Sequence, residues 1–204
     1  NDPRFRKINE KLGLTEKDIL VTLPSRIIKR KGIVEALHAI RLIKSKHKNI
    51  KIFLPCLFTP FDPAFSRKIN DLITRLKIGQ DVVKHEHHIA VNEMPSVYAA
   101  TDITIVPSYY EGLGLCVLES LSMKVPVIGT NVSGITEILT DGINGLLIPA
   151  RSSKKLASAI DRLITNPELS RKLVANGRKM VLKKFDSRVM ARKLEKHYSQ
   201  LIKK

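Results

Sequence analysis

Glu111 and Glu119 stand eight positions apart around two glycines, in the run Glu111-Gly-Leu-Gly-Leu-Cys-Val-Leu-Glu119. The run follows Asp102-Ile-Thr-Ile-Val-Pro107, whose apolar residues read as a strand. The spacing predicts strand, tight loop, helix. Gly112 and Gly114 let the backbone turn and approach a ligand closely, and Leu115, Leu118 and Leu121 continue at helical spacing. Free N–H groups at such a helix start seat an anion or a hydroxyl-rich ligand. Glu111 is expected at the loop mouth and Glu119 about two turns deeper, so that one ligand touches both. The same segment also fits a plain helix start with an acidic first turn and a surface Glu.

A second cluster is basic. Pro24-Ser-Arg26-Ile-Ile-Lys29-Arg30-Lys31-Gly32 places four cations between a strand and a helix. Arg offers a planar fork for phosphate oxygens and Lys a mobile point charge, and the following helix adds its positive end. A diphosphate suits this loop, as does a solvated basic turn.

The elements that must position these loops alternate. Strands are predicted at Ile19–Leu23, Ile50–Leu54, Asp81–Val83, Asp102–Val106, Val125–Ile128 and Gly145–Ile148. Helices are predicted from Ile33 to Ile43, Phe65 to Leu76, Asn92 to Ala100 with Asn92 as cap, and through Glu119. A helical turn follows at Gly134–Leu139, then helices at Ser152–Ile164, Pro167–Lys184 and Ser187–Leu201. Short apolar strands alternating with helices imply an α/β, Rossmann-like parallel sheet covered on both faces. Ligands of such sheets bind at the carboxyl ends of the strands, where the loops after Leu23, Val83 and Val106 lie. Met190, Leu194, Tyr198 and Leu201 form a C-terminal amphipathic stripe expected to pack.

The chain has 204 residues, 43% hydrophobic, with a net charge of +17. No apolar run approaches the roughly 20 residues of a membrane span. No secretory signal is seen, and Cys56 and Cys116 read as reduced core cysteines of a cytoplasmic protein. The charge suits phosphorylated ligands, an anionic membrane surface or nucleic acid. Aromatics amount to 5%, with no Trp, which argues against nucleic acid as a partner.

Taken in order, the two loops resemble the donor-binding lobe of a retaining glycosyltransferase of family 4 with the GT-B fold. The resemblance is carried by Arg26 and Lys31-Gly32, by Pro107-Ser108 with Glu111 and Glu119, by Val125-Pro-Val-Ile, by Gly134 to Glu137, and by Asp141-Gly-Ile-Asn-Gly-Leu-Leu-Ile148. It spans about residues 12 to 185. It implies that Arg26 and Lys31 hold a nucleotide diphosphate, that Glu119 binds the ribose hydroxyls, and that Glu111 faces the transferred sugar. Arg26, Lys31 and Glu111 would then be the catalytic set. Ser25, His85, Gly112, Leu113, Gly114 and Leu115 would complete the donor contacts, with Lys84 to Ile89 shaping the base pocket. No metal and no cofactor are implied beyond the nucleotide-diphosphate sugar itself.

Three positions depart from the family pattern: Ser25 replaces a glycine, Ser133-Gly134 replaces a glycine pair, and His87 replaces a base-pocket glycine. The family's acceptor-binding N-terminal lobe is missing, so the chain reads as one C-terminal lobe. Residues 1–16 then lie next to an interlobe linker, and 186–204 form a C-terminal helix. The resemblance implies a cytoplasmic enzyme, peripheral on the inner face of the membrane, that builds cell-envelope polysaccharide. Rival readings are a GT-B sugar-nucleotide epimerase or phosphorylase, and a basic polyanion-binding module.

Overall fold

The computed structural model describes residues 8–55, 62–83 and 89–202. The expectations for the segment before residue 8, for Cys56, and for Lys84 through His88 (including His85 and His87) lie outside these residues. The strands are β1 (Ile19–Thr22), β2 (Ile50–Phe53), β3 (Val82–Val83), β4 (Ile103–Val106), β5 (Val127–Thr130) and β6 (Leu146–Ile148). The helices are α1 (Ile33–Ile43), α2 (Pro63–Leu76), α3 (Met94–Ala100), α4 (Leu115–Ser122), α5 (Ser153–Thr165), α6 (Pro167–Lys184) and α7 (Ser187–Ile202).

The sheet runs β3-β2-β1-β4-β5-β6 and every pairing is parallel. Its strands carry β-branched residues on both faces, as a sheet covered on both sides requires. Val21 and Leu23 enter one core with α1 and α5, whereas Leu20 enters another with Phe53, Val83 and Val97. A third core joins Val127 to Val117 and Leu121 of α4 and to Val181 of α6. From β1 the chain winds outward through β2 and β3. From β4 it winds the other way, through β5 and β6. At such a reversal the loops leaving neighbouring strands diverge and leave a crevice at their carboxyl ends.

Local chemistry explains most element limits. Asp62 caps α2 by accepting from the Phe65 N–H at 2.9 Å. Asn166 does the same for Leu169, at 2.9 Å, ahead of Pro167 in α6, in the N-cap and first-position roles those residues favour.

Three expectations are corrected. The fifth strand starts at Val127, two residues late, because Pro126 has no N–H for the ladder. Its carbonyl still accepts from the Thr104 N–H at 3.0 Å. Asn92 does not cap a helix but sits inside the 3-10 turn Val91–Glu93. There Glu93 accepts from the Ala90 N–H at 3.0 Å, and α3 begins at Met94 with Pro95 in its first turn. The stripe Met190, Leu194, Tyr198 and Leu201 is exposed among the described residues rather than packed. No helix there is long and apolar enough to cross a membrane.

Gly32 joins the basic loop to α1 at φ +67, and a Cβ there would overlap the Pro107 carbonyl oxygen. The left-handed backbone favours glycine, and the close approach of β4's exit excludes a side chain. Gly32→Ala is therefore expected to lower stability by about 2 kcal/mol or more, from backbone strain plus displacement of Pro107. Urea denaturation measures this; a midpoint equal to wild type would show that the two loops do not constrain each other here.

Candidate functional site

The crevice is walled by the loop after β1 and the loop after β4, and these loops are laced together. The Tyr109 N–H donates to the Arg30 carbonyl at 2.8 Å. Arg30 Nη1 donates to the Tyr110 carbonyl at 3.3 Å, and its guanidinium lies 5.0 Å from the centroid of the Tyr110 ring. From β5, Thr130 Oγ1 donates to the Ser108 carbonyl at 2.5 Å.

At the centre of this lacing is Glu111. Its side chain is only 8% exposed and forms an ion pair with Lys31, itself 12% exposed. Arg30 Nη1 stands 3.6 Å from Oε2, and Ser108 Oγ donates to Oε1 at 2.9 Å. A shielded carboxylate needs such partners, because an unpaired buried charge is strongly unfavourable. The expected arrangement of the two glutamates is thus reversed. Glu111 is drawn inward by Lys31 and Ser108, while Glu119 is the exposed one.

The cleft has a volume of about 870 Å³ and is lined by Ser25, Arg26, Lys31, Glu111, Leu113, Gly114, Leu115 and Glu119. Gly112 does not line it. Its carbonyl, with that of Glu111, packs where a Cβ on Gly134 would stand. This is why Gly134 remains glycine at φ +82 while its neighbour is Ser133. Gly114 caps α4 with no side-chain hydrogen bond, so the helix presents its N-terminal N–H groups and positive dipole end toward the cleft. Cations at one wall and a helix N-terminus at the other make an anion seat.

Other residues escaped the sequence reading. Val91, Met94 and Pro95 give the cleft an apolar side, next to Ile89, which ends the segment expected to shape the base pocket. Tyr98, buried in α3, donates its hydroxyl to Glu119 Oε2 at 2.6 Å. Burial, then the Glu119 carboxylate, pushes the Tyr98 phenol above its ordinary pKa. Tyr98 reads in sequence as one more apolar position on a short helix, so no spacing pointed to it. Cys116 is a free thiol, partly buried against the core around Val117 and Leu121, that also borders the cleft. Burial pushes its pKa up to about 12, against the lowering effect of Lys31, so it stays a protonated thiol at neutral pH.

The profile of the family described as "Glycosyl transferases group 1" matches residues 4–180. The capsular polysaccharide biosynthesis glycosyltransferase CapM of Staphylococcus aureus is 29% identical over 198 residues, covering 97% of this chain and 50% of that protein. A glycosyltransferase structure from Rickettsia africae superposes with a TM-score of 0.89 at 24% identity, covering 100% of this chain and 53% of that one. Anabaena Alr3699/HepE in complex with UDP-glucose gives 0.87 at 22%, covering 98% and 53%. At these identities the structural likenesses show the fold, here one lobe of GT-B proteins. The chain spans about half the length of the curated relatives it matches.

The pairing at Glu111 yields a stability test. Lys31→Met should cost about 1–3 kcal/mol, because it strips the main partner from a shielded carboxylate. Adding Glu111→Gln to that variant should restore part of the loss, because the unpaired charge is then gone. Urea midpoints of the two single variants and the double variant measure the coupling; additive losses would show that the pair does not hold the loops.

Proposed function

Because the chain belongs to the glycosyl transferases group 1 family, we propose that its cleft is the donor site of a retaining glycosyltransferase. The site binds a nucleotide-diphosphate sugar, hexosyl or related, for transfer to a glycan, lipid or other small acceptor. One observation carries this reading. Arg26, Lys31 and the uncapped start of α4 meet around a single cleft that also holds an accessible carboxylate, Glu119. Diphosphate and ribose ask for those two features side by side. UDP-glucose in the similar Anabaena structure supports a uridine donor, and the name of the Staphylococcus relative supports cell-envelope polysaccharide as the product.

In this reading Arg26 and Lys31 bind the diphosphate by charge-assisted hydrogen bonds. Glu119 accepts from the ribose hydroxyls, and Ser25 and the backbone from Leu113 to Leu115 border phosphate and sugar. The departing diphosphate develops negative charge on same-face displacement. Fixed cations and the α4 dipole stabilise that charge in place, with no metal needed. Lys31 is already paired with Glu111, so an arriving diphosphate competes with the carboxylate for the ammonium. Glu111 is then released toward the transferred sugar, where it positions hydroxyls. The acceptor site belongs to a second, N-terminal lobe of the kind implied by the length of the relatives. The working environment is the cytoplasm, at the inner face of the membrane.

Calorimetric titration with UDP, GDP and ADP tests the reading. Arg26→Ala and Glu119→Ala should each weaken the preferred nucleotide by about 1–3 kcal/mol with cooperative melting retained. Unchanged affinity in both would remove the donor-site assignment.

Glu111→Gln separates the sugar from the nucleotide. Affinity for the bare nucleoside diphosphate should hold or rise, since the competitor for Lys31 loses its charge. Affinity for the corresponding sugar nucleotide should fall. Equal losses for both ligands would sink this division of labour between the two glutamates.

A further inference from the structure

We propose that Tyr98 is a positioning residue for nucleotide binding, holding Glu119 so that its second carboxylate oxygen is presented to the ribose; the inference rests on the donor-site reading above. The two residues belong to different helices, α3 and α4, and their contact spans the floor of the cleft. The Tyr98 side chain is 2% exposed, locked by packing with its hydroxyl as the one polar tip. That tip donates to Glu119 Oε2 at 2.6 Å. Among the described residues this is the side-chain hydrogen bond Glu119 makes.

The need for such a contact follows from where Glu119 stands. It is exposed on a helix turn, and a free glutamate there populates several rotamers that binding would have to freeze. A rigid buried phenol fixes one of them in advance. A carboxylate has about four lone-pair sites, so with Oε2 anchored, Oε1 and the remaining Oε2 lone pair can accept from two hydroxyls of a diol. Burial keeps the phenol protonated, so it acts as a donor at neutral pH. The Ser120 hydroxyl, next to Glu119, donates to the Cys116 carbonyl at 2.6 Å and lies 3.0 Å from Thr104 Oγ1. It ties the same turn of α4 to β4 and does not line the cleft.

The test compares Tyr98→Phe with wild type by calorimetry against UDP, GDP and ADP, and against the 2′,3′-dideoxy form of the tightest binder. The substitution keeps the ring and leaves water to satisfy an exposed carboxylate, so melting should shift by only a few degrees. Expected is a loss of about 3- to 10-fold for the ribonucleotide, the scale of one ordinary net hydrogen bond, since water replaces the phenol on the carboxylate. The dideoxy form should bind wild type and variant equally, and Tyr98→Phe should add no loss in a Glu119→Ala background. A purely structural role would lower both nucleotides alike, and that result overturns the proposal, as does loss of cooperative melting. If Glu119→Ala weakens binding and Tyr98→Phe does not, the Tyr98 role falls and the donor-site reading stands. If Glu119→Ala itself changes nothing, or wild type binds none of the three nucleotides, the ribose reading falls and takes this inference with it.

Discussion

A carboxylate with only 8% of its surface exposed needs polar partners, and the two loops of the crevice are arranged around that requirement at Glu111. Lys31 and Arg30 come from the loop after β1, Ser108 from the loop after β4. These loops leave neighbouring strands in opposite directions, and satisfying one charge ties them together. Gly32 is part of the same arrangement, since the approach of Pro107 that excludes its side chain brings Lys31 within reach. The Tyr109–Arg30 backbone bond and the Arg30–Tyr110 contact reinforce the seam from outside.

This arrangement gives the cleft two kinds of carboxylate. Glu111 is taken up by internal pairing with Lys31, Arg30 and Ser108. Glu119 is exposed and held from behind by Tyr98. An anion entering the cleft therefore meets Lys31 already paired with an internal carboxylate, and the diphosphate of the proposed donor would compete for it. In the proposed donor site this pairing would link phosphate binding to the release of Glu111.

Much of this was legible in the chain. The β-branched runs and the helical spacing gave all six strands and most helix limits, and the glycine-glutamate and arginine-lysine spacings pointed to the two loops that meet. The failures are local. Pro126 delayed β5 because a proline has no donor for the ladder, and Asn92 lost the cap to a 3-10 turn closed by Glu93. Tyr98 went unnoticed because a buried tyrosine on a short apolar helix looks like core until its hydroxyl is seen to have a partner.

By itself the sequence determined the element order, the parallel sheet, membership in the family, and which loops carry the cations and carboxylates. Those properties follow from local periodicity, turn chemistry and residue type, which act over a few positions. Only the tertiary structure decided that Glu111 points inward and Glu119 outward, that Arg30 joins the Glu111 pair, and that Tyr98 touches Glu119. These outcomes depend on distances between residues roughly 20 to 80 positions apart, set by strand order and by which charge can be shielded with its partner. Spacing along the chain brings candidates to the same end of the sheet; packing in three dimensions chooses which of them meet.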